Sequence, residues 1–279
     1  MKVREIVDRI IRETGVTLDP VKTVDQIITG DPDTEVTRVV TSFMATVDVI
    51  SEAVRLGANF IITHEPTWFN GRDQKEWLLN DPVYIKKKQL IEDNHLVIWR
   101  FHDYMHAVSD DMIYQGFDQD MGWSVYRERK EIRKEEKNPL LKAQLCYQVP
   151  EIKLKDLVMK VKDSLEVKCV RVIGNQEGTC RRIGVLVGGG SLGLGDEKNT
   201  MEFMRRENLD TVICGDITEW TLSAYIRDAS MLGLGHSMII IGHERSEESG
   251  MKHLVGWLQK LLPSETVIFV DAKEPFEYL

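Results

Sequence analysis

Six side chains able to hold a divalent cation lie just past apolar runs of this chain. His64 and Glu65 come directly after Phe60-Ile61-Ile62-Thr63, and Pro66 follows them. His102 and His106 stand just beyond the apolar 96–101 segment. His243 comes after Ile239-Ile240-Ile241-Gly242, with Glu247 four residues later. Imidazole and carboxylate are the ligands expected of zinc, manganese, iron or nickel-class ions. A spacing of four puts His102 with His106, and His243 with Glu247, on one side of a helical turn. His64 and Glu65 would diverge on a regular strand, but Pro66 imposes a turn in which both can converge. A lone HxxxH or HxxxE is more often ordinary surface chemistry. Three pairs, each placed after a strand, point to a site. Six donors exceed the need of one tetrahedral ion and would suit two ions about 3.5–4 Å apart sharing a water. The expectation is therefore one or two divalent ions per chain.

Other polar residues carry weaker signals. Glu219 and Glu244 are the carboxylates placed to move a proton, if either reaches the same site. Asp216, in Gly215-Asp216-Ile217-Thr218-Glu219-Trp220, reads first as a helix N-cap and second as a border of the site. His95, His236 and His253 fall at a helix end, in a Gly-rich turn and within a helix, and are set aside. Gly188-Gly189-Gly190-Ser191-Leu192-Gly193 lacks the Gly-Lys-Ser/Thr ending of a phosphate loop. It reads as a turn needing close backbone approach. Cys146, Cys169, Cys180 and Cys214 share no metal-site spacing and read as buried, unreactive thiols.

The elements that must position these residues alternate. Segments 37–43, 59–63 and 96–99 read as strands; 47–56 and 81–94 read as helices, the second with Pro82 in its first turn. Later strands are expected at 144–149, 168–173, 182–187, 211–214, 237–241 and 266–270. Helices are expected at 154–165, 200–208, 222–232 and 248–262. This rhythm predicts an α/β fold with mostly parallel sheets, and ligand residues at the carboxyl ends of strands are where such sheets bind. The run Arg-Glu-Arg-Lys-Glu-Ile-Arg-Lys-Glu-Glu-Lys-Asn at 127–138 is nearly all charge. It divides an N-terminal lobe, 1–126, carrying two ligand pairs, from a C-terminal segment, 139–279, carrying the third.

Composition limits the function classes. With 36 Lys+Arg against 45 Asp+Glu, the net charge is −9, which disfavours direct nucleic-acid binding. Hydrophobic residues at 42% suit a globular chain with a sizeable core. No apolar run approaches the roughly 20 residues a membrane span needs. The first 16 residues read as an amphipathic helix, not a signal peptide, so the expected location is the cytoplasm.

The same residues carry a resemblance. Gly57-Ala58-Asn59-Phe60-Ile61-Ile62-Thr63-His64-Glu65-Pro66-Thr67-Trp68-Phe69, the 96–107 segment, Gly215-Asp216-Ile217, Gly242-His243-Glu244-Arg245-Ser246-Glu247 and Asp271-Ala272-Lys273-Glu274-Pro275-Phe276 resemble the Nif-three-like (NGG-interacting-factor-three) family, whose members are often named GTP cyclohydrolase I type two homologues. The resemblance runs along almost the whole chain. It implies two α/β lobes with a metal cleft between them, a ring-like homohexamer, and a divalent metal pair on His64, Glu65, His102, His106, His243 and Glu247. This sequence departs from the family pattern at four places. Glu65 stands for a second His, His106 for an Asp, Trp220 for a His, and Met44-Ala45 for Asp-Val. If the Asp bridges two ions in relatives, His106 cannot, and either Glu65 does so or a single ion binds. The exchanges weaken the carry-over of GTP as substrate. The leading expectation is a metal-dependent hydrolase of a small, nucleotide-like molecule. The alternative is a non-catalytic metal-binding or ligand-sensing scaffold in a homo-oligomeric ring. A role as a transcription partner rests on the family's name alone.

Overall fold

The computed structural model describes residues 1–130 and 135–279, so part of the charged connection expected at 127–138 lies outside the described residues. The chain forms two compact units. One comprises Met1–Gly116 with Gly250–Lys273, the other Phe117–Ser249 with Glu274–Leu279. The chain thus leaves the first unit after Gly116, returns to it at Gly250 and leaves it again after Lys273.

The first unit is built on a five-stranded sheet. Its strands are β1 (Ile27–Thr29), β2 (Val39–Ser42), β3 (Phe60–Thr63), β4 (Val97–Arg100) and β10 (Val267–Phe269), in the order β1-β4-β3-β2-β10. The β4, β3, β2 and β10 strands run parallel, and β1 closes the edge antiparallel to β4. Every residue of β2, β3 and β4 is buried, as expected of parallel strands covered on both faces. Helix α1 (Val3–Thr14) presents Val3, Ile6, Val7 and Ile10 inward at helical spacing. Helix α2 (Val47–Arg55) starts on a Thr46 cap to Val49 N–H. Helix α3 (Pro82–Asp93) starts on Asp81, whose carboxylate accepts from Val83 and Tyr84 N–H ahead of Pro82. Val40, Ile50, Ile61, Trp68, Ile91 and Ile98 meet in the core beneath these helices.

The register of β3 on β4 matters most for function. Phe60 pairs with Val97 and Thr63 with Arg100, so both strands end at the same level. The segments that follow, beginning at His64 and at Phe101, therefore leave the sheet side by side. A short helix, α4 (Asp103–Ala107), follows at once, then α5 (Met112–Met121). Neither α5 nor β1 is marked in the sequence by a clear period.

The second unit holds the order β5-β7-β8-β9-β6, with β5 (Cys146–Lys153), β6 (Arg171–Ile173), β7 (Thr179–Leu186), β8 (Thr211–Cys214) and β9 (Ser237–Ile240). Here the expectation of a mostly parallel sheet needs correcting. Only β7-β8 and β8-β9 are parallel; both edges are antiparallel. The edge strands are partly exposed, a pattern that antiparallel pairing tolerates and a parallel core does not. Helices α6 (Pro139–Lys142), α7 (Leu154–Ser164), α8 (Lys198–Arg206) and α9 (Leu222–Met231) belong to this unit, and α10 (His243–Leu261) begins in it. All four cysteines are free; Cys146, Cys180 and Cys214 are buried as expected, whereas Cys169 is exposed. Among the described residues no helix is long and apolar enough to cross a membrane.

Because β3 is the strand that presents His64, its core contacts set the site's rigidity. Ile61→Ala is expected to lower the unfolding free energy by about 2–5 kcal/mol, whereas Val21→Ala, at an exposed position, should stay within about 0.5 kcal/mol of the parent. Chemical denaturation of the three proteins checks this, and equal midpoints would contradict the packing described.

Candidate metal centre

In the first unit His64, His102 and His106 converge. One ring nitrogen of each lies within 4.8 Å of the others. The His64 and His102 rings stack at 4.5 Å, and His106 meets them edge-on at 5.1 and 4.8 Å. Ligand bonds of about 2.0–2.2 Å place two donors of one ion no more than about 4.3 Å apart, so this spacing needs little closure. Glu65 adds a carboxylate, its Oε1 3.8 Å from His102 Nε2.

Local backbone chemistry brings these residues together. The N–H groups of His64 and Glu65 both donate to Phe43 O, at 3.0 and 2.8 Å, so the chain turns as soon as β3 ends. That is the turn expected ahead of Pro66. Phe101 N–H donates to Thr63 O at 2.8 Å, joining the two strand ends. The start of α4 is clamped by Asp25, whose carboxylate accepts from the N–H groups of His102, Asp103 and Tyr104 at 2.8, 2.8 and 3.0 Å. Burial nevertheless raises the Asp25 pKa, against these backbone donors. Asp103 accepts from Thr23 Oγ1 and Val24 N–H, both at 3.0 Å.

In each of these rings Nδ1 faces an oxygen. His64 Nδ1 is 3.3 Å from Phe101 O, His102 Nδ1 2.9 Å from Asp103 Oδ1, and His106 Nδ1 2.7 Å from Asp111 Oδ2. An acceptor at Nδ1 fixes the proton there and gives the lone pair to Nε2, as around metal-binding histidines. The hydrogen bond from His102 holds the Asp103 pKa well below the usual carboxylate range. His64 is pushed well below the ordinary imidazole value, first by complete burial and then by the charges of His102, His106 and Arg100. A buried neutral imidazole is the ligand-competent form.

The second unit assembles the third pair. His243 Nε2 lies 3.1 Å from Glu247 Oε2, and His243 Nδ1 lies 2.8 Å from Asp216 Oδ2. Asp216 is thus the partner of His243 and not the helix cap expected; α9 starts only at Leu222. The triple-glycine turn lies against this pair. Gly188 has φ +51°, and a Cβ there would overlap Glu247 Oε1 and come within 2.8 Å of His243 Nε2. Its N–H donates to Ser246 Oγ and its carbonyl accepts from Asp216 N–H, both at 2.8 Å. Only a residue without a side chain fits there. Glu219 is exposed on the loop that carries Asp216, as is the neighbouring Trp220. Glu244 is buried, with Oε2 3.2 Å from Arg245 Nε.

Another donor set, Glu128, Cys146 and Glu207, has a different character. Arg182 pairs with Glu128 and Glu207 at 2.5 and 3.2 Å, and burial pushes the Cys146 thiol up to about 12. It is an ion-pair network around a protonated thiol.

Comparison with known proteins gives the chain's family and confirms its fold. The model of the Duf34/NIF3 (NGG1p interacting factor 3) family matches residues 1–275. The chain belongs to that family. Among curated relatives, a protein of Clostridium acetobutylicum named GTP cyclohydrolase 1 type 2 homolog is 24% identical over 252 residues, covering 87% of each chain. A Clostridium perfringens protein of the same name is 23% identical over 260 residues, covering 91% of this chain and 90% of its own. Among solved structures, a hypothetical protein of Staphylococcus aureus aligns with a TM-score of 0.71 at 20% identity, over 100% of this chain and 99% of its own. Reduced HcgD of Methanocaldococcus jannaschii aligns at 0.62 and 18% identity, over 96% and 97%. At these identities the solved structures establish the shared fold.

Sequence reasoning missed the residues that hold the imidazoles. Asp25 lies far from α4 in the chain, and Asp111 lies in a Ser-Asp-Asp stretch that reads as loop. Two outcomes are expected. Gly188→Ala should destabilise the protein by roughly 1–3 kcal/mol and weaken divalent-ion binding at least about tenfold; denaturation and ion titration read these, and parental values for both would contradict the cradle. For His64 the folded pKa lies below the unfolded one, so below about pH 6.5 the unfolded state takes up the extra proton. In chelated protein the unfolding free energy should then fall by about 1.4 kcal/mol per pH unit as pH drops below that value. His64→Gln should flatten this slope, and an unchanged slope would exclude His64 as its source.

Proposed function

We propose that this protein is a metal-dependent hydrolase of a small, nucleotide-like substrate. In this reading His64, Glu65, His102, His106, His243 and Glu247 hold a divalent ion or ions of the zinc, manganese, iron or nickel class. The observation that carries the reading is the oxygen acceptor at Nδ1 of His64, His102 and His106, which leaves the lone pair on Nε2 of each converging ring for a cation. With the His243 proton on Nδ1 towards Asp216, Nε2 and Glu247 Oε2 are two acceptors 3.1 Å apart, which a second ring proton would reconcile; a cation in that proton's place would be held by Nε2 and Glu247 together. The chemistry such an ion supplies when bound is Lewis acidity towards water and towards an electrophilic phosphoryl or carbonyl group.

The chain's own residues do the rest. Asp103, Asp111 and Asp216 hold the ligand rings and keep their protons on Nδ1. Arg100 and Phe43 fix the turn bearing His64 and Glu65. Glu219, exposed on the Asp216 loop, is the proton carrier in this reading, with Glu244 as the buried alternative beside Arg245. The names of the clostridial relatives support a nucleotide-like substrate class.

Protein purified without chelator and reconstituted with zinc, manganese, iron or nickel should retain at least one ion per chain by elemental analysis. In a screen of nucleotides and phosphoesters it should turn over at least one compound. His243→Ala should abolish that turnover, and Glu219→Gln should lower kcat more than KM. Retention below about 0.2 ion per chain after reconstitution would refute the reading.

A further inference from the structure

The loop that carries Asp216 leads into a helix start that no side chain caps. Helix α9 begins at Leu222, and its N-cap residue, Thr221, makes no side-chain bond to the helix. The Thr221 hydroxyl donates backwards, to Thr218 O at 3.2 Å. Asp216, the cap expected from the sequence, is turned to His243 Nδ1. Tyr225 N–H donates to Thr221 O at 3.0 Å, while the N–H groups of Leu222, Ser223 and Ala224 find no acceptor among the described residues. Three free donors at the positive end of a 10-residue helix favour an anion.

A second observation, independent of the backbone, points the same way. Ser223 is 6% exposed, and its Oγ is buried without a hydrogen-bond partner. A helical serine commonly returns its hydroxyl to a carbonyl one turn back; Ser223 does not. Side chains of an α-helix lean towards its N-terminus. The Ser223 hydroxyl, in the first turn, therefore leans towards the same three N–H groups. A buried hydroxyl left unpaired is costly, and a ligand oxygen at the helix start would satisfy it.

The place in the fold and the nearby charge agree. Strand β8 lies between parallel β7 and β9, and the loop from its carboxyl end to α9 is where such sheets bind ligands. The Asp216–His243 bond ties that loop to the residue pair following β9. Arg227 stands four residues beyond Ser223, on the same side of the helix, exposed and in no ion pair among the described residues. Glu219, exposed at the loop's tip, is the opposing charge.

We propose that the start of α9 binds the phosphate group of the substrate. The N–H groups of Leu222, Ser223 and Ala224 and the Ser223 hydroxyl are its donors, and Arg227 is its counter-charge. The proposal rests on the hydrolase reading for the substrate's identity and specifies it: the small, nucleotide-like molecule is a phosphomonoester anchored in the second unit.

Inorganic phosphate is the first probe, and chelated full-length protein keeps the test apart from metal binding. In nitrogen-15 correlation spectra, phosphate should shift the amide signals of Leu222, Ser223 and Ala224 saturably. Adenosine 5′-monophosphate should move the same signals, and adenosine should not. Ser223→Ala should weaken phosphate binding at least about tenfold. Arg227→Gln, at an exposed position, should weaken it roughly two- to fivefold, and it decides the matter if Ser223→Ala does not fold. No saturable shift in the parent, adenosine acting as strongly as its monophosphate, or parental affinity in either folded variant would each overturn the proposal. Phosphate binding by chelated protein, together with no phosphoester turnover by metal-loaded protein, would instead refute the hydrolase reading and leave the site at α9.

Discussion

The candidate donor sets of the two units depend on one interaction repeated in each: an oxygen placed against Nδ1 of each candidate ligand histidine. Imidazole offers two nitrogens, and a free ring distributes its proton between them. A carbonyl or carboxylate at Nδ1 removes that choice and orients the ring. Phe101 O serves His64, Asp103 serves His102, Asp111 serves His106 and Asp216 serves His243. Each acceptor is placed by the backbone of a neighbouring strand end or loop, so the tautomer is set by the fold.

The layers beneath serve that placement. Parallel β3 and β4 end level, which lets the segment after each strand meet the other. The turn at Phe43 brings His64 and Glu65 round together, and Asp25 stops α4 from fraying where His102 begins it. In the second unit the same economy appears as close backbone approach. Gly215 and Gly188 lie so near that a Cβ on Gly215 would stand 2.5 Å from Gly188 O, and that packing holds the Asp216 loop against the start of α10. Arg100 supplies the remaining constraint. It is a buried cation at the root of the site, and it converts Glu65 from a flexible carboxylate into a fixed one.

Much of this was legible in the sequence, for physical reasons. Apolar runs such as Phe60-Ile61-Ile62 have to be buried, and His64, His102 and His243 follow such runs directly. The residues chosen as ligands in the first unit converge, and the His243–Glu247 pair meets across a helical turn as its spacing requires. What was hidden depends on contacts that sequence distance does not reveal. Asp25 reaches a helix start 77 residues away, and Asp216 finds His243 and not a helix N-terminus. Strand direction at the edges of the second sheet was hidden as well, since alternation of burial marks an edge strand only after its neighbours are known. Arg100 had a visible signal, a charge closing the apolar Val97-Ile98-Trp99 run, and that signal points to a buried partner.

The central claim is that the fold, before any ion arrives, already presents Nε2 of His64, His102 and His106 as lone-pair donors. Long-range proton–nitrogen correlation spectra of nitrogen-15-labelled, chelated protein at neutral pH read this directly. The account predicts the Nδ1–H tautomer for these three rings, each with Nε2 unprotonated. Nε2–H tautomers at these positions, or rapid averaging between the two, would contradict it.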